Sequence, residues 1–577
     1  MDLDYFGGFN DKNGSCPGEW NCCLVNLKDM LENGTVINNK LISEIHSFNK
    51  ACTVASQIAL AVSSGQYGGQ TMSLQHLSPF VRKSKERWKA KVGEDKSLTE
   101  EQIENISNIL LKQEISDGIK TLNYQLNTFM SCNGQSPFIS LFMYLSEEPE
   151  YIEETAMLIE EVFKQRISGM KNASGYTTVQ TFPKLLYVLE PCNLPKDEND
   201  PDLKEDGKYS YLTKLAAECV SKTMNPDFIS QKIMKKKYAE YDKDGNMLHD
   251  GVYACMGCRS FLSKWIDPNT GKPKYYGRYN KGVQSINLPD VALSSGGDMD
   301  IFWKVLDERL DLIKRVGEGR YYSLKKNSHR LDGSPIHWKY GAISRLKDGE
   351  SFEDTLIGGY STMSLGFIGI YEMCEAMLGK SNTTLEGHDF AVKVINHLRN
   401  KTEEWNKELN IGWSLYSTPS EGYCETSWKK TLKRFGEIKN VTDHGFFTNS
   451  YHVYVGEDID IFSKYDFESE FQDLCSGGCI SYGEIGNLIG NQEVILEIIK
   501  HIYENIQYAE LNTQCDRCNQ CGSTAPLLQD ENDNFFCAEC GSHNVEAVRR
   551  ICGYLGVASN GINRSKRHEM ANRVKHI

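Results

Sequence analysis

What the chain lacks narrows its character first. No run of about 18 apolar residues occurs, so no segment reads as a membrane-spanning helix. The opening stretch, MDLDYFGGFNDKNG, is acidic and has no hydrophobic core of the kind a secretory signal needs. Low-complexity tracts and internal repeats are missing too. With 15 Pro and 48 Gly in 577 residues, 40% hydrophobic and 25% charged, the composition excludes a disordered or fibrous chain. Surplus positive charge is also absent: 64 Lys and Arg stand against 78 Asp and Glu, a net charge of −14. Duplex binding is dominated by phosphate neutralisation, so no nucleic-acid partner is expected, although a nucleotide in one local pocket remains compatible. The basic stretch Arg564 to Lys575 reads as a solvated C-terminal helix. These features describe a cytoplasmic protein, or one of the host cytoplasm if the source is viral.

What the chain has in quantity is cysteine, 19 residues. At this length and without secretion a disulfide scaffold is improbable, so the thiols serve packing, metal ligation or catalysis. Apolar residues at three- and four-residue steps predict a long helix over 36–64 and two more over 84–130, the first heavily charged. ISLFMYL (139–145) and KLLYVLE (184–190) are short apolar runs bounded by breakers, as buried strands are, with a helix-like stretch at 150–170 between them. Alternating helices and buried strands predict an α/β architecture. Residues 191–208 are a polar surface loop. The composition changes near 512, where aliphatics thin out and Cys, Asn and Asp gather.

Four constellations carry chemistry. Cys518-x2-Cys521 is followed by Cys537-x2-Cys540, four thiolates that can close a tetrahedron about Zn²⁺, each knuckle followed by a glycine (Gly522, Gly541) that permits a tight turn. Cys515 lies at the same spacing and competes as a ligand, but Cys518 is preferred. Four sulfurs leave no open position, so this zinc is structural. RRICGYLG (549–556) places Gly553 between Cys552 and Tyr554, a turn or close-packing position when taken alone. ACMGCRSFLSKW (254–265) contains a CxxC, Cys255 and Cys258, with no second pair nearby to complete a metal site; the Gly257-Cys258 step looks like a loop tip presenting one sulfur. WNCCLVNL (20–27) opens a strand-like stretch with Cys22 and Cys23, where core packing is the plain reading. Two further motifs fail. DKDGN (242–246) has its glycine misplaced and Tyr253 where a calcium loop needs Glu, and TGKPK (270–274) has Pro273 where a phosphate loop needs Ser or Thr.

In combination these motifs resemble the large catalytic subunit of the class III, oxygen-sensitive (anaerobic) ribonucleoside-triphosphate reductase family, a family of glycyl radical enzymes. The resemblance runs from about Cys23 to Ile577. It is carried by NGQSPFISLFMYL (133–145), FPKLLYVLE (182–190), MGCRSFL (256–262), GRYNKGVQSINLP (277–289), STMSLGFIGIYE (361–372) and SLYSTPSEGYCE (414–425). TNSYHV (448–453), the four-cysteine ribbon, RRICGYLG and RVKHI complete it. It implies a ten-stranded α/β barrel over 1–511 with a thiyl loop tip near 254–262, a zinc ribbon over 512–545, and a glycyl radical loop and tail over 546–577. It implies that Gly553 stores the radical, that Cys258 becomes the thiyl radical, that Cys23 is the reductive cysteine and that Asn280 bonds near the sugar. A radical S-adenosylmethionine activating enzyme with a 4Fe–4S cluster would install the radical, and formate is the common terminal reductant, though some members use a redoxin. Ribonucleoside triphosphates would be reduced to DNA precursors, with dNTP effectors at a specificity site near the 36–64 helix of a homodimer.

STPSE (417–421) is the best candidate for the substrate phosphates, through Ser417, Thr418, Ser420 and Glu421, although Ser, Thr and Pro together are often only a turn. The family's N-terminal ATP cone is not expected in this chain, because Met1 stands only about twenty residues before Cys23. The competing expectations are an inactive fragment needing a separate N-terminal chain, a zinc-ribbon nucleic-acid binder disfavoured by the net charge, and another glycyl radical enzyme such as a formate-lyase, suggested by the adjacent cysteines.

Overall fold

The computed structural model describes residues 3–6 (backbone only), 20–130, 136–198, 200–559 and 562–577. Ten strands form its centre: β1 (Cys23–Leu24), β2 (Gln70–Ser73), β3 (Ile139–Met143), β4 (Lys184–Leu189), β5 (Asp227–Ser230), β6 (Arg278–Asn287), β7 (Thr362–Ile368), β8 (Trp413–Tyr416), β9 (Ser481–Glu484) and β10 (Tyr508–Asn512). Their hydrogen-bonded order is β8-β7-β6-β1-β2-β3-β4-β5-β10-β9, with Leu3–Phe6 adding antiparallel along β6. The first five run parallel, and so do β6 to β8 and the pair β9–β10. The junctions β1/β6 and β5/β10 are antiparallel. The array is therefore two half-barrels. Its free ends meet where Ser417 N–H donates to the Gly478 carbonyl (2.9 Å) and Gly477 N–H to that of Leu415 (2.6 Å). The α/β barrel expected from the sequence is present.

Parallel neighbours require crossover connections, and helices supply them. Nine of the ten strands are buried on both faces, β9 alternating between buried and half-buried, so side-chain parity sorts residues between the helical layer and the barrel interior. On β4, Leu185, Tyr187 and Leu189 join the helical layer, while Leu186 and Val188 face the barrel interior. That interior is filled by the segment 252–262, whose Val252, Tyr253, Ala254, Cys255, Met256, Phe261 and Leu262 pack against Phe142, Leu186, Val188 and Ile229.

The expected helix over 36–64 is corrected. The helix is Phe48–Ser63, capped by Ser47, and residues 35–42 form a hairpin, Thr35–Ile37 against Lys40–Ile42. Asn38 and Asn39 hold φ of +48° and +57°, the left-handed pair a two-residue hairpin turn needs. That turn chemistry overrides the apolar spacing of Ile42 and Ile45. The two helices predicted over 84–130 are Ser78–Val92 and Glu100–Thr128, the latter opened by a Thr99/Gln102 capping box. The expected barrel boundary at 511 falls inside β10. Beyond it, β11 (Cys515–Cys518), β12 (Val545–Arg550) and β13 (Leu555–Val557) form a small sheet over a core including Cys518, Phe535, Cys537 and Val545. Chain therefore runs directly from the ribbon strand β12 into the Gly553 loop.

Candidate active site

Cys258 sits at the tip of the loop threading the barrel, 7% exposed. Met256 and Ser260 bridge across the tip, and Gly257 turns it at φ +58°. The walls fix it: Thr71 Oγ1 donates to the Cys255 carbonyl (2.7 Å) and accepts from Gly257 N–H (3.1 Å), and Ser140 Oγ donates to the Gly257 carbonyl (2.8 Å). The Cys258 Sγ lies 3.7 Å from the Tyr416 hydroxyl. The sequence reading missed Tyr416, whose signal was only its place in SLYSTPSE.

The two adjacent cysteines face opposite ways. Cys23 points outward into the helical core with Trp20 and Val25, whereas Cys22, of opposite parity, points inward with Leu24 and the Cys258 loop. The Cys22 Sγ stands 3.0 Å from where a Cβ on Gly257 would lie. Burial, then the neighbouring Cys258 sulfur, pushes the Cys22 thiol well up, so it stays S–H at any physiological pH. A hydrogen-atom donor needs that form, and a nucleophile does not. Asn280 shares this face: its N–H bonds the Cys22 carbonyl (2.8 Å), and its Nδ2 donates to Thr362 Oγ1 and Ser364 Oγ (both 2.8 Å). The Asn280 side-chain oxygen Oδ1, met among the described residues by Asn21 Nδ2 at 3.5 Å, retains accepting capacity.

Gly553 meets Cys258 from the loop between β12 and β13. Its φ is +111°, and a Cβ there would lie 2.8 Å from the Cys258 Cβ and 3.7 Å from its Sγ, so only glycine fits. Arg259 Nη2 donates to the Cys552 carbonyl (3.2 Å), tying the two loops together. Beneath them lies a fully buried cluster that the sequence reading also missed. Lys184 Nζ pairs with Asp227 (2.8 Å) and Glu510 (2.6 Å), and Arg550 pairs with the same two carboxylates (3.0 and 2.9 Å). Burial alone would raise the Glu510 carboxyl, but Arg550 and Lys184 outweigh it and hold it down at about 2. The signal available in the sequence was a lone charge in each of three short strand-like segments, KLLYVL, DFIS and YAELN, with the arginine pair that opens RRICG.

Of the phosphate candidates, Ser417 Oγ pairs with Ser450 Oγ (2.8 Å), and Thr418 Oγ1 accepts from Ser285 Oγ (3.2 Å) above Gly366. Ser420 stands at the N-cap of the helix Glu421–Phe435 without capping it, and its buried hydroxyl has no partner among the described residues. The Glu421 side chain lies outside the described residues.

The four ribbon cysteines converge, their sulfurs all within 4.8 Å of one another. Cys518 to Cys540 is 3.6 Å and Cys521 to Cys537 is 3.7 Å, against about 3.8 Å for the edge of a tetrahedral zinc–sulfur site. Gly522 and Gly541 take φ of +78° and +71°, as the knuckle turns require. The donor set fits a closed tetrahedral ion. Cys515 stands apart, its thiol directed to the Lys222 carbonyl.

Comparison with known proteins agrees with this geometry. The family model for anaerobic ribonucleoside-triphosphate reductase matches residues 13–576. The anaerobic ribonucleoside-triphosphate reductase of Escherichia coli is 33% identical over 571 residues, covering 97% of this chain and 75% of that one. The bacteriophage T4 enzyme of the same name is 34% identical over 569 residues, covering 96% and 87%. The Thermotoga maritima anaerobic ribonucleotide reductase, solved in complex with dATP and CTP, superposes with a TM-score of 0.66 at 18% identity, over 98% of this chain and 84% of that one, a likeness of fold. The chain belongs to the anaerobic ribonucleoside-triphosphate reductase family.

Proposed function

We propose that this protein reduces ribonucleoside triphosphates to 2′-deoxyribonucleoside triphosphates for DNA synthesis, under anaerobic conditions, by radical transfer between Gly553 and Cys258. The observation that carries the reading is the seating of Gly553 directly against Cys258, inside a closed barrel, with the Cys22 thiol facing the same loop from the residue before β1. In this scheme Cys258 takes the ribose 3′ hydrogen, Cys22 supplies hydrogen at the 2′ side as the hydroxyl leaves as water, and Asn280 Oδ1 accepts from a sugar hydroxyl. Cys22 takes the role first assigned to Cys23. Enclosure keeps solvent from quenching the radical, and the reaction of a carbon-centred radical with O₂ makes the active protein oxygen-sensitive.

The triphosphate is placed at the N-terminus of the Glu421–Phe435 helix, supported by the free Ser420 hydroxyl and the positive end of the helix dipole. Formate is the proposed reductant: it gives up two electrons and its hydrogen to the reduction of the 2′ carbon and leaves as CO₂. The wholly buried Arg259 guanidinium beside Cys258 supports this, because its Nε and Nη1 have no partner among the described residues and suit a small carboxylate. A radical S-adenosylmethionine enzyme carrying a 4Fe–4S cluster would install the radical on Gly553. Cys518, Cys521, Cys537 and Cys540 would hold a structural Zn²⁺, which ties the ribbon strands together. A homodimer with dNTP effectors at a specificity site is proposed near the helices Phe48–Ser63 and Glu100–Thr128. The latter leaves Ile109 (67%) and Tyr124 (56%) exposed. The compartment is the cytoplasm; among the described residues no helix is long and apolar enough to cross a membrane.

The test is anaerobic incubation of the activated protein with CTP and formate. One dCTP and one CO₂ per formate consumed are expected. Activated protein that leaves CTP unchanged with formate and with dithiols alike would overturn the reading.

A further inference from the structure

A single ammonium reaches both partners of the proposed hydrogen transfer. Lys184 Nζ donates to the Gly553 carbonyl and to the Cys258 carbonyl (3.2 Å), while also pairing with Asp227 and Glu510. The single Tyr508 hydroxyl proton lies within reach of the same Cys258 carbonyl (3.0 Å) and of Asp227 (2.9 Å) and serves one of them at a time, so Lys184 is the steady donor to the thiol loop. Lys184 is 1% exposed, at the inward-facing first position of β4.

Charge balance alone does not account for this lysine. Two cations face two carboxyl groups, of which burial pushes Asp227 up to about 7 against the pull of Arg550 and Lys184, and buried ion pairs are commonly no more stabilising than apolar residues of the same volume. What an apolar replacement would not supply is a proton for each of two main-chain carbonyls on separate loops. We propose that Lys184 is the positioning residue of radical transfer: it fixes the Gly553 α-carbon against Cys258 and polarises the Gly553 carbonyl. The proposal rests on the roles of Gly553 and Cys258 given above.

The transfer itself is a hydrogen-atom exchange. The Cys258 S–H bond breaks as the Gly553 Cα–H bond forms, one electron and one proton moving together, with no external oxidant or reductant. A glycine α-carbon radical is stabilised jointly by the amide nitrogen, which donates, and the carbonyl, which withdraws. A cation hydrogen-bonded to the carbonyl oxygen strengthens withdrawal, draws spin density off the α-carbon and narrows the splitting caused by the α-hydrogen. Loss of the cation widens that splitting and lets the two loops drift apart.

The experiment uses the full chain, activated anaerobically by its activating enzyme with S-adenosylmethionine. Lys184→Met combined with Asp227→Asn keeps the cluster neutral, and Asp227→Asn alone is the reference that retains the ammonium. Turnover is expressed per spin, so incomplete activation does not obscure it. The double variant is expected to lose at least tenfold in turnover per spin relative to Asp227→Asn, with KM for the nucleotide within twofold and a wider glycyl doublet. Lys184→Arg, which keeps a cation near the carbonyls, restores the narrower splitting and supplies the readout should the double variant fail to fold. Turnover per spin within twofold of the reference, with an unchanged doublet, overturns the proposal. So does a folded, zinc-loaded double variant that accepts no radical, since that places the lysine in activation. If the unaltered protein gives no glycyl doublet, or Cys258→Ala turns over normally, the underlying reading fails and the lysine's role with it.

Discussion

Cys22 and Cys23 show how one residue of parity decides chemistry. Successive strand residues face opposite ways, so only one of the two sulfurs can reach a substrate inside the barrel. Cys22→Ala is expected to abolish deoxynucleotide formation while the Gly553 radical still forms. Cys23→Ala, which removes a sulfur from the outer core, costs about 1 kcal/mol for the small cavity and leaves turnover within about threefold. Paired assays of product and spin check both. This choice was not legible in the sequence, because Trp20 to Val25 is buried on both faces and its single polar residue, Asn21, makes no alternation that would set the parity. Gly553 and Cys258 stood out in the sequence as candidates, each by the neighbours in its motif, and the structure seats one against the other. At Gly553 an alanine would meet the Cys258 Cβ at 2.8 Å and hold a strained φ of +111°. Gly553→Ala is therefore expected to give no glycyl doublet under activation conditions that give one in the parent chain.

Between elements, β12 links the ribbon to the radical loop. Cys518 pairs with Val545 at one end of that strand's ladder, and Asp516 pairs with Arg549 (2.5 Å) near the other. Cys518→Ser is expected to lose zinc and to raise hydrogen exchange over 545–557, where a protection pattern unchanged without metal would refute the coupling. The C-terminal tail is a second tether. Arg573 donates to the Arg550 carbonyl (3.0 Å), and His576 Nδ1 accepts from Glu484 N–H (3.0 Å). Burial, reinforced by Lys464 and opposed by Glu484, Glu468 and Asp460, holds the His576 imidazole down at about 4. Its folded value lies below the ordinary 6.5 or so, so the docked tail is fully stabilised above that pH and loses stability as pH falls from there to about 4. Limited proteolysis is expected to release residues 573–577 progressively faster across that window. A flat profile would show that the imidazole is not the controlling group. The hairpin at 35–42 escaped sequence reading because apolar spacing was given precedence over the Asn-Asn turn.

At the scale of the molecule, the barrel follows from alternating helices and apolar strands, and those were readable in ISLFMYL and KLLYVLE. The two-half arrangement came from resemblance and not from periodicity, since antiparallel junctions at β1/β6 and β5/β10 leave no local mark. The four-charge cluster went unread for a related reason: Lys184, Asp227, Glu510 and Arg550 are far apart in sequence and meet only when β4, β5 and β10 lie side by side. Removing Lys184 alone leaves buried negative charge uncompensated. Lys184→Met is expected to lower stability by about 3–5 kcal/mol, read by denaturant unfolding, with much of the loss recovered by adding Asp227→Asn. The central claim, that Gly553 stores the radical on which the barrel is organised, has one direct measurement. The protein is activated without oxygen, its paramagnetic resonance spectrum is recorded, air is admitted and the chain is weighed. A glycyl doublet followed by cleavage at Gly553 is the predicted result. An intact chain with no signal, using an activating enzyme proven on another reductase, would contradict it.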